Sequence, residues 1–153
     1  MNTRIVLVLL SIALMLTVGC GSDSDEPAPQ FSNVPEIELL SVSPGSIQAL
    51  TDSLVFEIKY TDGDGDLGTT DDKVRNLFIV DTRIDVTHEF RIPLIVPNEG
   101  IVSITGTFRV NLGGIILKDP NATSEEVIFN IYLVDRAGNQ SNEIESPAVT
   151  ITR

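Results

Sequence analysis

Between Leu54 and Tyr60 the apolar residues keep one parity: Leu54, Phe56, Ile58 and Tyr60 alternate with Val55, Glu57 and Lys59. A helix would scatter those four side chains around its circumference. An extended chain lines them up on one face, so the segment can bury itself only as a strand. The same period returns at Phe90, Ile92, Leu94 and Val96, at Val102, Ile104, Gly106, Phe108, Val110 and Leu112, and at Val127, Phe129, Ile131 and Leu133. Ile37 to Val42, Leu77 to Ile84 and Ala148 to Thr152 are weaker instances, which brings the expectation to about seven strands. Turn-forming residues fall between them: Ser43-Pro44-Gly45, Pro97-Asn98-Glu99-Gly100, Gly113-Gly114, Asp119-Pro120-Asn121, and Asp135 to Asn139. Nowhere do apolar residues recur at helical spacing over three turns.

Short strands separated by turn signals predict an all-β fold, a single antiparallel sandwich of immunoglobulin or fibronectin III type over residues 36–153. About 115 residues suffice for one core and no more. The whole chain has no Trp, two Tyr and six Phe, so that core is expected to be mostly aliphatic. Pro93 cannot donate to a ladder, which puts its strand at an edge or a bulge.

The N-terminus is of another kind. Arg4 precedes an apolar run from Ile5 to Val18, followed by Gly19-Cys20. The run is too short to span a bilayer comfortably and has the layout of a secretory signal peptide. Cys20 is the only cysteine, which excludes an intramolecular disulfide or a multi-cysteine metal site. Leu16-Thr17-Val18-Gly19-Cys20 resembles the lipobox of bacterial lipoproteins, with Thr17 where leucine is most usual. The resemblance implies a signal peptide over 1–19, lipid on Cys20 and anchoring to a membrane without a transmembrane helix. Residues 20–35, rich in Gly, Ser, Pro and acid, read as a flexible tether. Asp23, Asp25 and Glu26 resemble the surface-export signal of Bacteroidota lipoproteins.

The formal charge is −12, and loss of Arg4 with the leader takes it to −13. Such a surface repels nucleic acid and anionic headgroups, so no nucleic-acid partner is expected. The acid is concentrated in YTDGDGDLGTTDDKVR, Tyr60 to Arg75, which holds Asp62, Asp64, Asp66, Asp71 and Asp72 with three glycines. At contact distance each carboxylate pair repels by roughly 1 kcal/mol in water and by more where water is excluded. A cation would remove that cost. Asp62, Asp64 and Asp66 match the first three ligand positions of an EF-hand loop, but Leu67 replaces the turn glycine and Lys73 the bidentate glutamate. The remaining ligands would have to come from elsewhere. If Leu54 to Tyr60 is strand B and Val127 to Val134 strand F of an immunoglobulin sandwich, the aspartate loop and the turn Asp135–Asn139 emerge at one end. Asp135 is then the expected distant ligand of a calcium ion, with Gly63 and Gly65 letting the backbone wrap around it. Asp135 bonding its own turn is the alternative. Asp71 and Asp72 read as solvated turn residues partnered by Lys73 and Arg75.

The lipobox, a strand running into YTDGDGDLG and the closing segment IYLVDRAGNQSNEIESPAVTI together resemble the Ig-like β-sandwich modules of Bacteroidota surface lipoproteins. That resemblance implies fold and location, an outer-membrane or cell-surface lipoprotein, more than activity. His88, the only histidine, has no nucleophile and orienting group spaced around it and reads as an exposed structural residue. No Gly-x-Ser-x-Gly elbow, phosphate loop or His-x-x-x-His pair occurs. Asn121-Ala122-Thr123 fits a glycosylation sequon but carries little weight beside a bacterial lipobox. The expectation is a non-enzymatic lipoprotein whose domain, steadied by calcium, binds an extracellular protein or serves as a structural module. Glycan binding as an accessory to polysaccharide uptake is the alternative, disfavoured by the shortage of aromatic platforms.

Overall fold

The computed structural model describes residues 31–96 and 102–153. The expected leader 1–19, Cys20, residues 21–30 of the tether and the turn Pro97–Gly100 lie outside the described residues. Ten strands occur among the described residues, with no helix: β1 Glu36–Ser43, β2 Ser46–Gln48, β3 Ser53–Asp62, β4 Leu77–Asp81, β5 Val86–Phe90, β6 Ile104–Gly113, β7 Ser124–Val127, β8 Phe129–Leu133, β9 Ile144–Glu145 and β10 Val149–Thr152. The fold is all-β, as the period-two pattern requires.

The arrangement is less simple than one antiparallel sandwich of about seven strands. Pairing gives three sheets, ordered β1-β3-β6, β5-β4-β8-β9 and β2-β10-β7. One pair, β2 with β10, is parallel. A further departure lies at Ile128. The buried parity of Val127, Phe129, Ile131 and Leu133 runs on through exposed Ile128, but the pairing partner changes there: β7 pairs with β10 and β8 with β4, so one amphipathic run serves two sheets.

The two larger sheets share one core. Phe56 of β3 meets Phe129 of β8 edge to face, centroids 5.4 Å apart. Around that contact the buried side chains are almost all Leu, Ile and Val, as the scarcity of aromatics required. β3 carries the pattern furthest: Leu54, Phe56, Ile58, Tyr60 and then Asp62 are all buried on one parity. It pairs with β6 from Ser53↔Gly113 to Asp62↔Ile104.

The expected strand from Phe90 to Val96 does not form. β5 ends at Phe90, and Pro93 makes only an isolated bridge with Thr69. Two causes are visible. Pro93 has no N–H to give a ladder, and the Ile92 N–H is taken by the buried Asn76 side chain at 2.6 Å. The expected strand Leu77 to Ile84 also stops early, at Asp81. Thr82–Asp85 is a turn in which Asp85 holds a positive φ, a conformation that Asp adopts more readily than most residues.

Candidate metal centre

The acidic loop leaves β3 at its last residue. Asp62 continues the buried parity of that strand, so the alternation carries a carboxylate to the rim of the core, fully buried. Its Oδ2 accepts a hydrogen bond from the Leu67 N–H at 3.1 Å. Leu67 is fully buried as well, so the chain loops outward through Gly63–Asp66 and is pulled back by an apolar plug. Gly65 permits this turn: its φ is +70°, and a Cβ there would collide with the Val102 carbonyl. Leu67, which spoils the EF-hand register, is thus what closes the loop.

That closure brings three carboxylates together. One oxygen from each of Asp62, Asp64 and Asp66 lies within 4.8 Å of the others. The Oδ1 atoms of all three are shielded from solvent and accept no hydrogen bond among the described residues. An ionised carboxylate oxygen left so costs several kcal/mol unless something compensates it.

The second loop arrives as the topology demands. The Ala137 N–H, in the turn between β8 and β9, donates to Asp66 Oδ2 at 2.9 Å, and Arg136 Nη1 donates to the Gly68 carbonyl at 3.3 Å. Asp135 is buried, but both its oxygens are engaged by its own turn: Oδ1 accepts the Asn139 N–H at 2.7 Å and Oδ2 the Asn139 amide at 2.8 Å. It stands outside the group of three whose oxygens converge. It positions the turn that touches Asp66 and adds negative charge.

The electrostatics follow. Burial, then the charges of Asp64 and Asp66, push the Asp62 carboxyl up to about 6, against the opposing Leu67 N–H. Asp66 is raised by burial first and then by Asp135 and Asp64, with the Ala137 N–H and Arg136 opposing. Arg136 forms no ion pair with these aspartates among the described residues. The donor set is all oxygen, which suits a hard cation. Calcium binds oxygens at 2.3–2.6 Å, so one ion can reach oxygens separated by up to about twice that.

Other sequence candidates fall elsewhere. Asp71 and Asp72 are exposed, and their partners differ from the expected ion pairs: Asp71 Oδ1 accepts the Lys73 N–H, and Arg75 donates to the Asp72 carbonyl. His88 is not exposed. It lies in β5 opposite Ile79, half-buried, and burial lowers its pKa. A second charged cluster had no signal in the sequence. Arg83 pairs with buried Asp81 at 2.6 Å and with Glu125 at 2.8 Å, and Glu125 also accepts the Lys118 and Asp119 N–H groups. Every acid there has a donor, so that cluster is a structural tie across 42 residues of sequence.

No family model matches the chain, and no curated protein matches it. A solved structure described as the X-ray structure of Northeast Structural Genomics Consortium target SoR45 aligns over 78% of this chain and 83% of its own, at 13% identity and a TM-score of 0.30. A superposition that loose assigns neither fold nor activity.

Proposed function

We propose that the chain is a membrane-anchored bacterial lipoprotein, held at the outer membrane or cell surface by lipid on Cys20, whose all-β Ig-like domain is a non-catalytic binding or structural module stabilised by calcium. One observation carries the calcium part: three converging aspartates whose Oδ1 atoms are all shielded and unpartnered. A solvated turn would leave those atoms in water, and a hydrogen-bonded turn would give them donors. Asp62, Asp64 and Asp66 are the ligands in this reading, and backbone carbonyls and water complete the six to eight oxygens calcium takes. Asp135 holds the neighbouring turn in place. At a free concentration of a hundred times the dissociation constant, the ion stabilises the fold by about 2.7 kcal/mol. Isothermal calorimetry tests the site: a saturable calcium heat is expected, and its absence together with an unchanged melting midpoint in chelator sinks the reading. The anchor is tested separately by Cys20→Ala, expected to abolish lipid labelling and membrane partition.

Glycan binding is a second reading supported by a different surface. Phe78 of β4 and Tyr132 of β8 stack at 4.9 Å and 17° on the parity opposite the core, a half-exposed aromatic pair. A glycan array in which Tyr132→Ala removes every hit would favour this reading. An array blank for the wild type would remove it.

A further inference from the structure

We propose that cation binding at the acidic loop and docking of the segment Phe31–Pro35 are one linked event, so that calcium fixes how the domain meets the chain preceding it. The proposal rests on the cation reading above and adds a consequence that can fail by itself.

The geometry starts from register. β1 begins at Glu36 opposite Thr61, so the residues before β1 are delivered beside Asp62 and the loop that follows it. There Gly63, the residue between the first two aspartates, donates its N–H to the Ser32 carbonyl at 2.8 Å. The fit is close: a Cβ at Gly63 would stand 2.5 Å from the carbonyl oxygens of both Phe31 and Ser32. The second loop reaches the same segment. The Asn139 side chain donates to the Asn33 carbonyl at 3.5 Å while holding Asp135. Asn142 then brackets the start of β1, accepting the Ile37 N–H at 2.8 Å and donating to the Ile37 carbonyl at 2.9 Å.

Apolar anchoring of this segment is slight. Pro35 is buried, but Phe31 and Val34 are exposed at 41% and 45%. Its docking therefore depends on polar contacts to two loops whose conformation the carboxylate cluster controls. Without a cation, repulsion among Asp62, Asp64 and Asp66 works against the backbone path that presents the Gly63 N–H. With a cation, that path is held. Linkage is reciprocal, so a docked segment also tightens the ion.

The test is backbone NMR relaxation of the full chain in detergent, in calcium and in chelator, with calorimetry on the same sample; relaxation reads the order of Ser32 and Asn33, which meet the loops through their carbonyls. Calcium is expected to order the acidic loop and Ser32 to Val34 together, raising their order parameters from the flexible range below about 0.6 toward about 0.85, and to leave the β4–β5 hairpin unchanged. Gly63→Ala supplies a second arm. It displaces the Phe31 and Ser32 carbonyls without removing a carboxylate, so the variant should still give a calcium heat, with weaker affinity and no calcium-dependent ordering of 32–34. Calcium heat with an ordered loop but unchanged order parameters at 32–34 overturns the linkage and leaves the cation site standing. No calcium heat in the wild type overturns both.

Discussion

Asp62→Asn removes one charge while keeping shape, and its effect on stability should vanish in saturating calcium. An asparagine can keep the acceptor for the Leu67 N–H and offer an amide to Asp64 and Asp66. In chelator at pH 7 the substitution removes two of the three repulsions in the cluster. For unit charges 4.8 Å apart, Coulomb's law gives about 0.9 kcal/mol per pair in water and about 3.5 kcal/mol at an effective dielectric of 20. The Asp62 pKa of about 6 provides a second route to the magnitude. Relative to an ordinary aspartate near 3.9, ionising it in the folded state costs roughly 3 kcal/mol. Two pairs give about 1.7 kcal/mol in water and about 7 kcal/mol at that dielectric; the roughly 3 kcal/mol from the pKa, which includes the cost of burial, lies in the lower part of that bracket.

The variant should therefore be more stable than wild type in chelator, by roughly 10 °C in melting midpoint for a domain of this size. In saturating calcium the wild type should recover a similar amount while the variant gains nothing, and the two midpoints converge. Differential scanning calorimetry of both proteins, with and without calcium, reads all four numbers. A variant that is less stable than wild type in chelator would refute the reasoning, because Asp62 would then be a net favourable acceptor and not a repelled charge.

Three further outcomes are expected. The raised Asp62 carboxyl sets a pH dependence whose sign is opposite to that of a salt-bridged acid. As pH rises from about 4 to about 6 the unfolded chain ionises first, so in chelator the fold loses on the order of 2 kcal/mol; in calcium the same window should show a gain, read from denaturant midpoints at pH 4.5 and 7. Leu67→Ala empties a fully buried position and should cost about 2–5 kcal/mol, with calcium affinity falling because the loop is no longer pulled over the cluster. Arg83→Leu strands buried Asp81 and should cost roughly 3–5 kcal/mol with calcium affinity unchanged, by chemical denaturation and calorimetry.

How much of this was legible in the sequence depends on the length over which a physical rule had to hold. β3, β6 and β8 repeat the alternation for five to ten residues and were readable. β2 and β9 have three and two residues, too few for a period, and exist because neighbouring strands offer them edges. The strand expected from Phe90 to Val96 kept the right parity but lost its ladder to Pro93, which the sequence marks as an edge or bulge residue, and to the Asn76 side chain, which no pattern of apolar residues shows. The trio of aspartates was readable from spacing. The burial of Asp62 was missed, because the expected strand stopped at Tyr60; its signal was the parity shared with Leu54, Phe56, Ile58 and Tyr60. The company of Asp66 and Ala137 needs the fold, because 71 residues separate them.

Leu67 decides why this loop is more than an acidic turn. Turns use Asp and Gly because short polar side chains bond nearby backbone and stay wet. A fully buried leucine one residue after the third aspartate removes the second condition, since it drags the loop against the core and shields three carboxylate oxygens. Burying that side chain contributes about 1.5–3 kcal/mol, close to the roughly 3 kcal/mol by which the carboxylates oppose the same closure. Neither force dominates. A loop balanced in this way takes its conformation from whatever third interaction is present, and an oxygen-seeking cation is the partner that acts on the repulsive side of the balance. A bound cation would act through that balance on Gly63 as well, whose N–H reaches the Ser32 carbonyl in the chain leading into the domain.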